Sequence, residues 1–409
     1  MPSVPSRVAG ISLPPFDVLN IRAANLRAEG RDVITLGQGV PGFGPPPAAI
    51  EAARRALSEP ATHLYCADAG LSSLRRILAD KLGLHHQIDA TVNDLIITAG
   101  GNQAFMLAAL TLLEPGDEVI LSSPYFVNQE MALRAIGVTP VEAGVSELRG
   151  FRTRWADIEP HLTPRTRAVV LCTPSNPTGA VIERDDLTRI VLELRRLGII
   201  VMCDETYMHF VYGQRGSGAT GATIAGHASA GAVEGWRDNV VVLGTFSKSF
   251  GMTGWRLGYL LADSGVCEQA IKIQDAMIIC APVIAQIAAE AAVRESWDYA
   301  HAYHGELIRR RQVLAQELGS IPGLHWTPAD GSFFAFVRVD GCTDSLALST
   351  AILDAVDVVT IPGATFGRSG EGYLRLSYGA ADEQTLKRAC ARLREFFAGA
   401  NGSAAGCLG

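Results

Sequence analysis

A chain of 409 residues exceeds what one hydrophobic core supports, so two lobes are expected. With 48% hydrophobic and 19% charged residues, a net charge of −7 and no basic run, it reads as a well-packed globular protein with no nucleic-acid partner. No stretch approaches the length of a membrane span, and the start "MPSVPSRVAGISLPPF" has no signal-peptide core, which predicts a soluble, cytoplasmic protein without a membrane partner.

The stretch "PPPAAIEAARRALSE" places prolines before apolar residues at helical spacing and predicts a helix. From there to residue 263, short apolar runs alternate with helical patterns. Strands are expected at Asp94–Thr98, Glu118–Ser122, Ala168–Cys172, Ile199–Cys203, Val240–Gly244 and Gly258–Leu261. Helices are expected at Asn102–Leu113, Val127–Ile136 and Arg184–Leu197. Such alternation gives an α/β, doubly wound, mostly parallel sheet flanked by helices. Beyond residue 264 the pattern changes to long helices at Cys267–Val293 and Ala300–Leu318. Short strands at Phe333–Val337, Val358–Ile361 and Tyr373–Ser377 then mix with helices at Ser345–Ala355 and Glu383–Phe397, a smaller α+β lobe. The tail from 398 to 409 is small-residue and expected to be flexible. Eight scattered cysteines, with no C-x-x-C pair, predict free thiols and no metal site.

The polar residues that stand out follow the predicted strands: Gly100-Gly101-Asn102, Pro124-Tyr125-Phe126, Ser175 to Gly179, Asp204 to Tyr207, and Thr245 to Lys248. A parallel sheet brings those loops to one edge, where such folds bind ligands. Glycines opening a helix, joined by Thr245, Ser247 and Arg256, suit a phosphate, although a plain strand–helix turn explains the glycines alone. Lys248 is one of four lysines in the chain and sits among small and apolar residues. A lysine held near other cations and partly desolvated becomes a nucleophile; a solvated loop lysine is the competing reading. Asp204 ends a buried strand and needs a cationic partner, unless it or Glu205 caps the next helix. Arg375 suits a carboxylate, with an inter-domain ion pair as its competitor.

Together the motifs "YCADAGLSSLR", "ITAGGNQA", "SPYFVN", "CTPSNPTG", "CDETY", "TFSKSFGMTGWRLGY" and "LRLSYG" resemble the fold-type I pyridoxal-phosphate enzymes, specifically the class I/II aminotransferases. The resemblance covers nearly the whole chain. It implies a seven-stranded sheet and three parts: 1–45 belonging to the small domain, 46–290 as the large cofactor-binding domain, and 291–397 as the small domain.

The resemblance further implies that Lys248 forms the internal aldimine with pyridoxal 5'-phosphate and that Asp204 keeps the ring nitrogen protonated. Asn176 and Tyr207 would bond the ring hydroxyl, and Phe126 would stack on the ring. Gly101, Asn102, Thr245, Ser247 and Arg256 would hold the phosphate. Tyr65 would reach the phosphate of a neighbouring subunit, which implies a homodimer with shared sites. Gly39, Asn176 and Arg375 would bind the substrate. The implied reaction moves an amino group from an L-amino acid to a 2-oxo acid. Lyases, decarboxylases, oxidases and cyclases keep the same machinery and stay open as the alternative. The segment "MIICAPVIAQ", where the family often has small hydroxylated residues, adds weight to it.

Overall fold

The computed structural model describes residues 4–212 and 227–399. Seven strands form the main sheet, in the spatial order Leu95–Thr98, Gly258–Leu261, Val240–Thr245, Ile200–Asp204, Thr166–Cys172, Glu118–Ser123 and Thr139–Gly144. Gly258–Leu261 runs antiparallel to both neighbours; every other pairing is parallel.

The alternation of side chains explains why both faces are covered. Ile97, Ile120, Val169, Val201 and Val242 point into one core, beneath the helices Ser72–His86 and Arg184–Arg196. Their chain neighbours Ile96, Val119, Val170, Met202 and Val241 point into the other, beneath Gly101–Leu112 and Ser264–Ile278. Strands buried on both faces are continuous apolar runs, which is why six of the seven are legible in the sequence. The seventh, "TPVEAG", is an edge strand with half-exposed residues and a proline, so it lacks that signal.

A four-stranded antiparallel sheet builds the smaller lobe, in the order Ile361–Pro362, Tyr373–Ser377, Phe334–Val339 and Leu324–His325. The helices His304–Leu318 and Glu383–Ala398 bury Leu314 and Leu393 in the core it shares with Leu374 and Leu376. The N-terminal segment joins this lobe through the parallel pair Ile34–Thr35 and Val358–Val359. It also carries a helix that pattern reading passed over, Phe16–Ala28, whose Leu19, Ala23 and Leu26 face inward.

One expectation is corrected. The single helix expected at Cys267–Val293 is two, Ser264–Ile278 and Val283–Glu295, broken where Ile279 turns to φ 62° and Pro282 caps the second. Proline disfavours helical backbone in the residue before it and donates no hydrogen bond, so a helix stops there despite an unbroken apolar pattern. The expected tail lies almost wholly outside the described residues, as does Cys407. Among the described residues seven cysteines are free, and no helix is long and apolar enough to cross a membrane.

Behind the main sheet, His86, His209, His227 and Trp297 pack ring to ring. Burial and the neighbouring imidazoles hold His86 and His209 well below the usual histidine value of 6.5. Both are therefore neutral in the fold, while the unfolded chain takes up protons once the pH falls below 6.5. Stability is present above that pH and declines below it, by up to about 1.4 kcal/mol per histidine for each pH unit. Thermal melts from pH 8 to 5 are expected to show a midpoint level above 6.5 and falling below it. A flat midpoint would mean these rings accept protons in the native state.

Candidate active site

A cavity of about 370 Å³ opens at the carboxyl ends of the main sheet's parallel strands, closed on its far side by the smaller lobe and the N-terminal segment. At its inner end the backbones of three strands meet closely. A Cβ on Gly258 would lie 2.7 Å from the Gly100 carbonyl carbon and 2.8 Å from the Gly244 oxygen. Gly100 turns at φ 90° to start the helix Gly101–Leu112, and a side chain there would strike the Arg256 guanidinium. The first amides of that helix therefore sit beside Thr245, Ser247 and Arg256. Thr245 Oγ1 donates to the Leu257 carbonyl at 3.0 Å, accepts from the Ser247 amide at 3.1 Å, and lies 2.9 Å from Ser247 Oγ. Amides at a helix start, two hydroxyls and a guanidinium form a cradle for a phosphate-like anion.

Lys248 projects into the same cavity, where its Nζ donates to the Gly39 carbonyl at 2.7 Å. Gly39 must be small: a Cβ would come within 2.8 Å of the Phe334 ring. Burial, with Arg375 and Arg256 adding to it and Asp204 acting against them, lowers the ammonium pKa to about 8. The solvated-loop reading of Lys248 is thereby excluded.

Asp204 ends its strand facing the cavity. Its Oδ1 accepts from the Thr206 amide at 3.0 Å and its Oδ2 from Gln129 Nε2 at 3.0 Å. Burial raises its pKa, with the bonds from Thr206 opposing. No α-helix follows it among residues 205–212, so the capping reading is corrected for both acids. The Glu205 side chain points the other way and is fully buried. It accepts from Ser229 Oγ and the Ala230 amide, each at 2.9 Å, and pairs with His227 Nε2 at 2.9 Å. Glu205 thus anchors the loop that presents Asp204 and Tyr207. Removing one partner of a buried, bonded carboxylate leaves its donors stranded. Glu205→Ala is expected to cost about 3–5 kcal/mol of stability, read from denaturant midpoints; a loss below about 1 kcal/mol would contradict this.

Tyr207 is buried, with its ring edge-on to Phe333 and Phe334 at 5.4 and 5.5 Å. Its hydroxyl faces the cavity without a hydrogen-bond partner among the described residues, and burial holds it protonated. Phe126 caps the helix Val127–Ala135 and lines the cavity wall. Arg375 donates to Asn176 Oδ1 at 2.8 Å and to the Gly37 carbonyl at 2.5 Å. Phe334, Phe366 and Phe16 surround its guanidinium at 4.6, 4.9 and 5.5 Å. No carboxylate pairs with it among the described residues, which removes the inter-domain ion pair and leaves N–H groups for an incoming anion.

Of the site residues that the resemblance implies, all but one line this cavity. Tyr65 does not: it is 78% exposed and outside this chain's cavity. Sequence reasoning missed Gln129, whose signal is a buried glutamine one helical turn past Phe126. It also missed Asn20 and Phe16, which reach the cavity from the unforeseen N-terminal helix.

Comparison with known proteins identifies the family. The pattern of the family described as "Aminotransferase class I and II" matches residues 31–393. The chain belongs to this family. This aminotransferase is 32% identical to the probable aspartate/prephenate aminotransferase of Aquifex aeolicus, covering 93% of this chain and 95% of the other. It is 35% identical to aromatic-amino-acid aminotransferase 2 of Thermococcus litoralis, over 89% and 91% of the two chains. Among solved structures it is similar to the aromatic aminotransferase of Pyrococcus horikoshii, with a TM-score of 0.84, 32% identity and coverage of 92% and 98%. The aspartate aminotransferase of Thermus thermophilus with maleate gives 0.88, 30%, and 97% and 100%.

Proposed function

We propose that this aminotransferase works with pyridoxal 5'-phosphate held in the cavity and covalently joined to Lys248. The observation that carries this reading is a lysine with a pKa near 8 between an anion cradle and an acid facing a ring-sized space. The residues present fit the group. Gly101, Asn102, Thr245, Ser247 and Arg256 match its phosphate, Asp204 its ring nitrogen, Phe126 its face, and the unpartnered hydroxyl of Tyr207, with Asn176, its ring hydroxyl. When bound, such a ring takes up the electron pair left on the substrate's Cα. Arg375 and the space beside Gly39 would hold the substrate's α-carboxylate, and Lys248 Nζ, released as a free amine when the substrate's amino group takes its place on the cofactor, would take the Cα proton. Orientation by Arg375 decides which bond at Cα breaks.

The site is proposed to be completed by a second copy of the chain. Leu57, Leu64, Tyr65 and Met277 are 58%, 67%, 78% and 42% exposed, apolar surface of the kind that marks an interface. Gln286 ties residues 66–71 to the start of its own helix: it accepts from the Leu71 amide at 2.7 Å and donates to the Ala281 carbonyl at 2.8 Å. Residues 60–71 and 277–286 would face a second copy's cavity, with Tyr65 at its phosphate. The same reading assigns 46–290 to a cofactor-binding domain, 1–45 with 291–397 to a second one, and the cytoplasm as its location. The free thiols agree with a reducing compartment.

The test supplies one amino acid with and without a 2-oxo acid acceptor. Sustained turnover is expected only with the acceptor; release of ammonia or carbon dioxide in its absence would favour a lyase or decarboxylase. A second test follows the pH dependence of cofactor capture by the apoprotein. Only the free amine of Lys248 attacks an aldehyde, so the capture rate is expected to rise with pH, with a midpoint at about 8. A midpoint near 10.5, the ordinary lysine value, would show that burial does not lower the pKa.

A further inference from the structure

The relatives include proteins named for aspartate and proteins named for aromatic amino acids. The cations that line this chain's cavity decide between them. Among the described residues that line it there are three: Lys248, Arg256 and Arg375. On the reading above, each has its anion or covalent partner already, namely the cofactor aldehyde, its phosphate and the substrate's α-carboxylate. The rest of the cavity's lining includes Phe16, Val40 and the neutral amides of Asn20, Gln38 and Asn128. Phe16 stands against the Arg375 guanidinium with its ring centre 5.5 Å away, so an aromatic face lies next to the α-carboxylate anchor.

In the proposed dimer, residues 60–71 and 277–286 of a second copy would flank this site; they contain no lysine or arginine, and His63 is their one residue able to become a cation by taking up a proton. Aspartate would carry a second carboxylate one carbon from Cα, too short to extend back to water. Burying that charge without a partner costs far more than burying an aromatic ring or an amide.

We infer that the amino donor has a neutral side chain, aromatic above all, and that aspartate is rejected. This rests on the aminotransferase reading with pyridoxal 5'-phosphate. The test is single-turnover conversion of the purified holoenzyme's aldehyde form to its amine form, read from the cofactor's absorbance with phenylalanine, asparagine and aspartate in turn.

Phenylalanine is expected to react at least about 100-fold faster than aspartate per unit concentration, with asparagine also ahead of aspartate. Aspartate reacting as fast as phenylalanine would overturn the inference while leaving the cofactor reading intact. Conversion by none of the three would overturn the inference, and a purified protein that shows no cofactor absorbance and captures none would remove the cofactor reading with it.

Discussion

Replacing Lys248 with alanine is expected to abolish amino transfer, lowering kcat by about 10⁴-fold or more, while the protein still folds. A positioned acid–base group contributes roughly 10²–10⁴ on its own, and this lysine is also assigned the covalent hold on the cofactor. The fold is expected to survive because Nζ makes one hydrogen bond, to the Gly39 carbonyl, and burying the ammonium lowers its pKa. A buried cation of that kind is tolerated for function rather than for stability. The variant's melting temperature should therefore match or exceed that of the wild-type apoprotein, measured side by side. Activity within tenfold of wild type would place the chemistry on another group. A variant that does not fold would instead make Lys248 a structural residue.

The second large effect is expected from Asp204→Asn. The substitution keeps the shape of the side chain and an oxygen for the Thr206 amide, now 3.0 Å away, but removes the negative charge. In the apoprotein burial already raises the Asp204 pKa, so the ionised carboxylate is held at a cost that a cationic ring would offset. Losing the charge weakens that partner's ability to stay protonated and to take up electrons. The expected result is kcat lower by about 10²–10³-fold, the size seen when one preorganised electrostatic group is removed, with cofactor affinity falling much less. Equal losses in affinity and kcat would show that Asp204 only anchors the cofactor. An unchanged rate would remove it from the chemistry.

Those two residues were legible in the sequence for the same physical reason. Each follows an apolar run, and a parallel sheet carries the residue after every such run to one edge. Gly101, Thr245 and Asn176 were found in the same way, and the structure brings them to one cavity. Arg375 stood out by its chemistry between two leucines that face the core.

What was not legible depends on packing between distant segments. Nothing local tells that Gln129 reaches Asp204 across 75 positions, or that Glu205 turns away to hold Ser229 and His227. The helix Phe16–Ala28 mixes charged and apolar residues with little amphipathic contrast, so its place over Arg375 appears only once the smaller lobe is folded. The break at Ile279 was hidden by apolar residues on both sides of Pro282.

The chain offers few competing amines, which makes one measurement decisive. The lysines are Lys81, Lys248, Lys272 and Lys387. Reducing the purified holoenzyme with borohydride fixes any imine as a stable secondary amine, and the modified peptide can then be located by mass spectrometry. Near-stoichiometric labelling of Lys248, with the other three unmodified, is the predicted outcome. An adduct on any of those three, or none at all on a protein that transfers amino groups, would contradict the account.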